Sequence, residues 1–316
     1  MIRRARALAA ALLLLAPLLA VSSPAGAAAK HYPPDPAGNI PPPAYISTGA
    51  CRTTPTGQDC TAALVRALND ARAAMGEPAY RLPAKFTALT APERLLVLAD
   101  QDRMLYGRVR LSGLNATLNA SAQQGVAHDA DPGFVPVNGN SYVGAASNWA
   151  GGSPPMTNPV YAYYLWMYDD GPGSGNGDCT QPGDPGCWGH RDGTLADFGA
   201  SVRVLLGVGG GTSRYGYSWT ELFEAFRTTA ATPLIATVQR LDKQTGTPGT
   251  MVHLTGFGLY HASPVYVLGH SATVVRRNPN YLDIRLPVAS GSGYVIAYGN
   301  GGPSSRTGAS AFRYAG

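Results

Sequence analysis

Imidazole is the side chain best suited to proton transfer near neutral pH, and His190 follows an acidic, glycine-rich loop in a Gly189-His190-Arg191 triplet. In a catalytic reading Asp169, within that loop, orients the ring or accepts its proton. In a structural reading His190 caps a helix or hydrogen-bonds within the loop. Arg191 is read first as a brace through Asp192 or Asp197, and second as an anion contact. Asp169, Asp170, Asn176 and Asp178 supply oxygen ligands of the kind calcium takes, but their spacing departs from the EF-hand pattern and no glutamate closes the loop. A divalent metal there or in a neighbouring cleft is the minor reading, the metal ligands stay unknown, and no cofactor is expected. Trp149, Trp166 and Trp188, with Tyr161, Tyr163, Tyr164 and Tyr168, form either a sugar-stacking surface or part of the core.

Other motifs lose their chemistry on inspection. Gly269-His270-Ser271-Ala272-Thr273 begins like a nucleophile elbow but lacks the closing glycine. Gly207-Val208-Gly209-Gly210-Gly211 has no following Gly-Lys-Ser/Thr, so a turn between strands explains it better than a phosphate loop. The sequons at Asn115 and Asn119 fall in a predicted helix, and no glycan is expected on them.

The elements that must position these residues begin with an export signal. Arg3, Arg4 and Arg6 precede an apolar run over residues 7–21 and a small-residue stretch ending at Ala29, the order of a secretory signal peptide over 1–29. The run falls short of the roughly 20 residues that span a bilayer, so cleavage is expected and no transmembrane segment after it. Ordinary secretion is favoured over the twin-arginine route. Losing residues 1–27 removes three arginines and no acid, which takes the formal charge from +5 to +2. Neither that charge nor the densest basic spot, Arg276-Arg277, calls for nucleic acid. The four cysteines fall into two local clusters, Cys51 with Cys60 and Cys179 with Cys187. Two short-range disulfides are the natural reading for an exported chain, the other two pairings remaining open, and neither cluster has zinc-knuckle spacing.

Residues 30–60 form a proline-rich leader with a short disulfide loop, extended over 30–50. Leu64, Ala67, Leu68, Ala71 and Met75 recur at helical spacing over 61–75. Thr90-Ala91-Pro92-Glu93 is a capping box that starts a second helix ending near Gly107. A third helix is predicted over 114–124, a loop-rich segment able to form a cleft over 131–159, a short helix over 160–168, and strands over 202–208 and 217–223, helix being the alternative for the latter. From 232 to 316 come short strands (251–255, 265–268, 282–286, 293–298) punctuated by glycine and proline, the signature of a small β-sandwich.

Leu89-Thr90-Ala91-Pro92-Glu93-Arg94-Leu95-Leu96, then Ser147-Asn148-Trp149-Ala150-Gly151-Gly152, Trp166, Gly189-His190-Arg191 and Leu195, in that order over residues 61–228, resemble the CAP superfamily (cysteine-rich secretory, antigen 5 and PR-1 proteins), specifically its bacterial secreted branch. Residues 232–316, through Gly249-Thr250-Met251-Val252-His253-Leu254-Thr255-Gly256-Phe257-Gly258, resemble the IPT/TIG immunoglobulin-like family. The implied fold class is α+β, a CAP-like α-β-α sandwich followed by an all-β immunoglobulin-like sandwich. The CAP resemblance implies a cleft lined by two histidines and two acids. Ser147 stands where the first glutamate is expected, because Asn148 and Ala150 align with the family's asparagine and alanine. Asp169, three residues after Trp166, stands in the place of the second acid. His190 fits the Gly-His-Arg motif, and His128 is the candidate for the other histidine.

The expected function is that of a secreted, extracellular or cell-wall-associated protein holding a small apolar, lipid or glycan ligand in its cleft, with His128, Ser147, Asn148, Trp166 and Arg191 as cleft residues. The alternative is a hydrolase acting on peptide or cell-wall material through His190 and Asp169. Loss of the glutamate at Ser147 favours binding, and whether the chain is an enzyme stays open.

Overall fold

The computed structural model describes residues 34–134, 136–137, 141–227 and 232–315, so the signal-peptide reading lies outside the described residues. The fold is mixed α+β. The leader departs from the expected extended form. It carries two short helices, α1 (Ala44–Thr48) and α2 (Ala50–Thr53), and it is docked. Asn39 accepts from the Gly171 N–H at 2.7 Å and donates to the Pro172 carbonyl at 2.7 Å. Polar side chains bind a proline-rich segment that has few backbone donors of its own.

Helix α3 (Gln58–Ala74) starts three residues before the predicted span and buries Leu64, Ala67, Leu68 and Ala71. Cys60 lies in its first turn and forms a disulfide with Cys51 that ties the leader to the helix. Helix α4 (Ala91–Leu105) opens on the expected capping box, with the Thr90 N–H donating to Glu93 at 2.9 Å. The predicted helix over 114–124 starts late. Leu111–Leu114 is strand β1, and α5 (Ala116–His128) begins only after Asn115, whose Oδ1 accepts from the Thr117 and Leu118 N–H groups. That side chain is the N-cap, and it separates strand from helix more sharply than apolar periodicity indicates.

Strand β2 (Tyr142–Gly152) occupies much of the segment read as loop. Its glycines and alanines carry little strand propensity, so pairing decides the conformation. Helix α6 (Pro159–Tyr168) is capped by Asn158, and α7 (Gly189–Thr194) carries His190. β3 (Arg203–Ser213) and β4 (Gly216–Phe226) form a long antiparallel hairpin, which removes the helical alternative for the latter. The sheet runs β1-β3-β4-β2, with β1 parallel to β3 and the rest antiparallel.

Alternation along β3 and β4 serves two cores. Val204, Leu206, Val208, Phe223 and Ala225 face α3, α4 and α6. Leu205, Leu222 and Phe226 face Leu118 and Ala122 of α5. Gly207 and Gly209 admit α5 against the sheet, since a Cβ on Gly207 would lie 2.3 Å from the Leu118 backbone.

The remaining strands are β5 (Arg240–Leu241), β6 (Thr245–Gly246), β7 (Met251–Thr255), β8 (Val265–Val267), β9 (His270–Asn278), β10 (Tyr281–Arg285), β11 (Ser292–Gly299), β12 (Gly302–Pro303) and β13 (Ala311–Tyr314). They form a second sheet in the order β5-β7-β10-β9-β8-β11-β13-β6, with β12 on β11. It curls around one core that includes Val252, Leu254, Val265, Ile284 and Val295. The described residues belong to one compact unit. Phe257 and Ala309, from the second region, are buried in the first region's core, and the Ile235 N–H bonds the Leu114 carbonyl at 2.9 Å.

Glu221 projects from β4 toward the helices, is fully buried, and its carboxyl oxygens have no hydrogen-bond partner. Burial pushes its pKa well above the usual 4.5, with Asp102 adding to the rise and the neighbouring Asn148 opposing it. The folded protein therefore holds this carboxyl protonated over a range where the unfolded chain has released the proton. Stability falls as pH climbs from about 4.5 through that range. Glu221→Gln is expected to leave the melting temperature near wild type at pH 4.5 and to raise it at pH 8, read by thermal denaturation at both values.

Candidate functional site

The site is built where α6 ends. Its last helical residue is Tyr168, Asp169 breaks the helix with φ −133° and ψ 53°, and the chain turns so that Asp170 meets the start of α7. Asp170 accepts the His190 backbone N–H at 2.9 Å through Oδ2 and contacts His190 Nδ1 at 2.6 Å through Oδ1. One carboxylate thus satisfies a helix-start donor and fixes the imidazole. Asn176 holds the loop closed by donating to Asp170 Oδ1 at 2.8 Å and to the Gly186 carbonyl at 3.0 Å. The Cys179–Cys187 disulfide closes the same loop directly before Trp188. Trp188 takes a left-handed φ of 62°, which turns the chain into α7.

His190 side-chain exposure is 20% and that of Asp170 is 3%. Burial works against a charge on His190, but the hydrogen bond and charge of Asp170, joined by Asp131 and Asp178, raise its pKa above the usual 6.5. Asp131 is raised by desolvation against the cleft wall, then by Asp178 and Asp170, with His190 opposing. Asp169 is raised by burial and by Asp170. Two carboxyls and an imidazole with shifted affinities for protons therefore face one space.

That space is a cleft of about 650 Å³, a size that suits a small ligand. Its lining includes the apolar Trp149, Met156, Tyr161 and Trp166 and the polar Asp131, Asp169, Asp178 and His190. Trp149 packs edge-on against Tyr215, with ring centres 5.4 Å apart, and its indole N–H is buried without a partner. Trp166 is spent differently: its indole donates to the Trp149 carbonyl at 3.2 Å, so it braces the wall it lines.

The residues singled out in the sequence separate in space. Asp169, Trp166 and His190 line the cleft together. The acid that orients His190 is Asp170, not Asp169, because the helix end at Asp169 brings the next side chain against α7. Arg191 is buried and bonds neither Asp192 nor Asp197. It donates to the Met167 carbonyl at 3.0 Å and the Tyr106 hydroxyl at 2.6 Å, while Asp197 pairs with Arg108. Asn148 is fully buried and donates to Thr194 Oγ1 at 2.8 Å, fixing α7 on β2. Ser147 sits opposite Leu222, outside the cleft lining. His128 is exposed at the end of α5, outside the lining, although Asp129, Ala130 and Asp131 just after it belong to the rim.

Sequence reasoning did not pair Asp131, Asp170 or Asp178 with His190. Asp170 and Asp178 had a signal, since both lie in the acidic loop. Asp131 had none beyond its place after α5. Among the described residues no group of three or more His, Cys, Asp or Glu side chains is arranged to hold a metal ion, and no helix is long and apolar enough to cross a membrane. The two disulfides are consistent with an exported protein.

No family model matches the chain, and no curated protein matches it. Among solved structures it is similar to a γ-CGTase from alkalophilic Bacillus clarkii, at 16% identity and a TM-score of 0.24, over 32% of this chain and 16% of that one. An auxiliary nutrient binding protein from Bacteroides ovatus is 19% identical at a TM-score of 0.20, over 26% of this chain and 21% of that one. The Plexin A4 extracellular region is 17% identical at 0.23, over 37% of this chain and 15% of that one. These similarities are too slight to assign a fold or an activity, so the site stands on its own chemistry.

Proposed function

We propose that this is a secreted or envelope-associated protein, a CAP-like α-β-α sandwich followed by an immunoglobulin-like sandwich, that binds a glycan in the His190 cleft. The observation behind this reading is that aromatic side chains and several carboxylates line the same cleft. A sugar offers an apolar ring face to Trp149 and Tyr161 and hydroxyl donors to Asp131, Asp169 and Asp178. A purely apolar lipid would strip water from those carboxyls without replacing its hydrogen bonds, at several kcal/mol for each charge left buried. That cost favours the glycan over the lipid.

Calorimetric titration of the chain from residue 30 onward with cell-wall glycan fragments tests the reading. Saturable binding is expected, weakened about tenfold by Trp149→Ala, the equivalent of about 1.4 kcal/mol for one lost stacking face. Equal affinity in wild type and variant would remove the cleft from consideration.

One observation favours a second reading, hydrolysis. His190 is oriented by Asp170 and shares the cleft with two carboxyls of raised pKa, an arrangement suited to general acid and base work. In that reading His190→Ala abolishes turnover of peptide or cell-wall substrates and leaves the protein folded.

A further inference from the structure

We propose that the protein carries a second ligand site, for a small organic anion with an apolar body, in the pocket between α4 and the second sheet. This pocket has a volume of about 470 Å³ and is separate in its lining from the His190 cleft. Val97 and Met104 of α4 and Phe257, from the chain after β7, supply its apolar surface. Met104 is 41% exposed.

The charged groups around this pocket are cationic in balance. Arg81 is exposed, and its guanidinium has no carboxylate within salt-bridge distance among the described residues. Its backbone is held on both sides by Gln101, which accepts the Arg81 N–H at 2.8 Å and donates to the Arg81 carbonyl at 3.1 Å. The backbone from which this cation projects is therefore fixed. Arg110 is half-exposed and set by Asp100, with Nη2 to Oδ2 at 2.6 Å. Asp100 is the pocket's carboxylate, and it is occupied by Arg110 and by the Leu111 N–H at 2.9 Å. Arg72 is buried behind them, its charge met by Asp102.

The unpartnered buried polar atoms on the lining side chains are both donors, Arg72 Nε and Gln239 Nε2. Donors in excess and a free guanidinium select an acceptor-rich, negatively charged head, and the apolar surface beneath selects a hydrocarbon or aromatic body. The His190 cleft has the reverse character, rich in carboxylates, so the two sites take different ligand classes and neither inference depends on the other.

Octyl phosphate, kept below its micellar concentration, is the probe. Calorimetric titration is expected to give saturable binding at least tenfold tighter than for octyl glucoside, which has the same tail without charge, or for inorganic phosphate, which has the head alone. Arg81→Glu and Met104→Asp change exposed side chains, and each is expected to weaken octyl phosphate at least tenfold with an unchanged circular dichroism spectrum. Trp149→Ala in the other cleft is expected to leave it unchanged. The proposal is overturned by absence of saturation, by equal affinity for octyl glucoside or inorganic phosphate, by indifference to both pocket substitutions, or by loss of binding in Trp149→Ala. Arg81→Gln supplies a second reading of the cation, should Arg81→Glu disturb the fold.

Discussion

Asp102→Ala is expected to cost the protein about 3–5 kcal/mol, the range for breaking a buried ion pair by removing one partner. Asp102 is fully buried on α4 and is the hub of a polar cluster inside the first core. It pairs with Arg72 and accepts hydrogen bonds from the Tyr163 hydroxyl and, at 2.5 Å, the Tyr80 hydroxyl. The Tyr80 and Tyr168 hydroxyls lie 3.3 Å apart, and the Arg72 guanidinium stacks 3.4 Å from the centre of the Tyr80 ring. Alanine would leave a buried cation and two phenol groups without their acceptor. Urea denaturation followed by circular dichroism measures the loss. A reduction below about 1 kcal/mol would mean that the cluster relaxes around the gap and that Asp102 is not its hub. Replacing both charged partners with apolar residues of similar size should recover most of the loss, because the stranded charge then disappears with its partner.

Asp170→Asn is expected to lower the His190 pKa and to weaken glycan binding in the cleft about tenfold, or 1.4 kcal/mol. The wild-type imidazole has its pKa raised above 6.5 in spite of burial, through the hydrogen bond and charge of Asp170. The matching stability term is fully present below pH 6.5 and fades as pH rises through the folded value. The variant should therefore be most destabilised relative to wild type at mildly acidic pH and least at pH 9. Titration of the His190 ring protons by NMR, beside calorimetry on the same sample, checks both parts. An unchanged ring pKa would transfer the electrostatic role to Asp131 and Asp178.

Much of the first region was legible because its signals are local. The capping box at Thr90 and Glu93 and the apolar stripe of α3 need only a few neighbouring residues to specify a helix. The long hairpin was legible in type but not in length, since β3 and β4 extend well past their apolar centres on backbone pairing. β2 was invisible, because a run such as Gly144-Ala145-Ala146 becomes a strand only when β4 lies beside it. His190 stood out by residue type and Asp169 by spacing. The partner Asp170 depended on where α6 stops, and Asp131 reaches the cleft from a segment about 60 residues away in the chain, as only tertiary structure can arrange. Arg191 was read by charge alone, which points to acids, whereas Nη1 and Nη2 of its buried guanidinium donate to a carbonyl and a phenol.

Phe257 is rooted in a core to which none of its neighbouring strands belongs. Pulling the second sheet away would empty a socket beneath α4 as well as uncover the sheet's own interior, so the free energy of separating the regions includes part of the free energy of melting each. Under heat or denaturant the two sheets then share a fate: a single sharp transition takes both, and a fault introduced in one is felt in the midpoint of the whole.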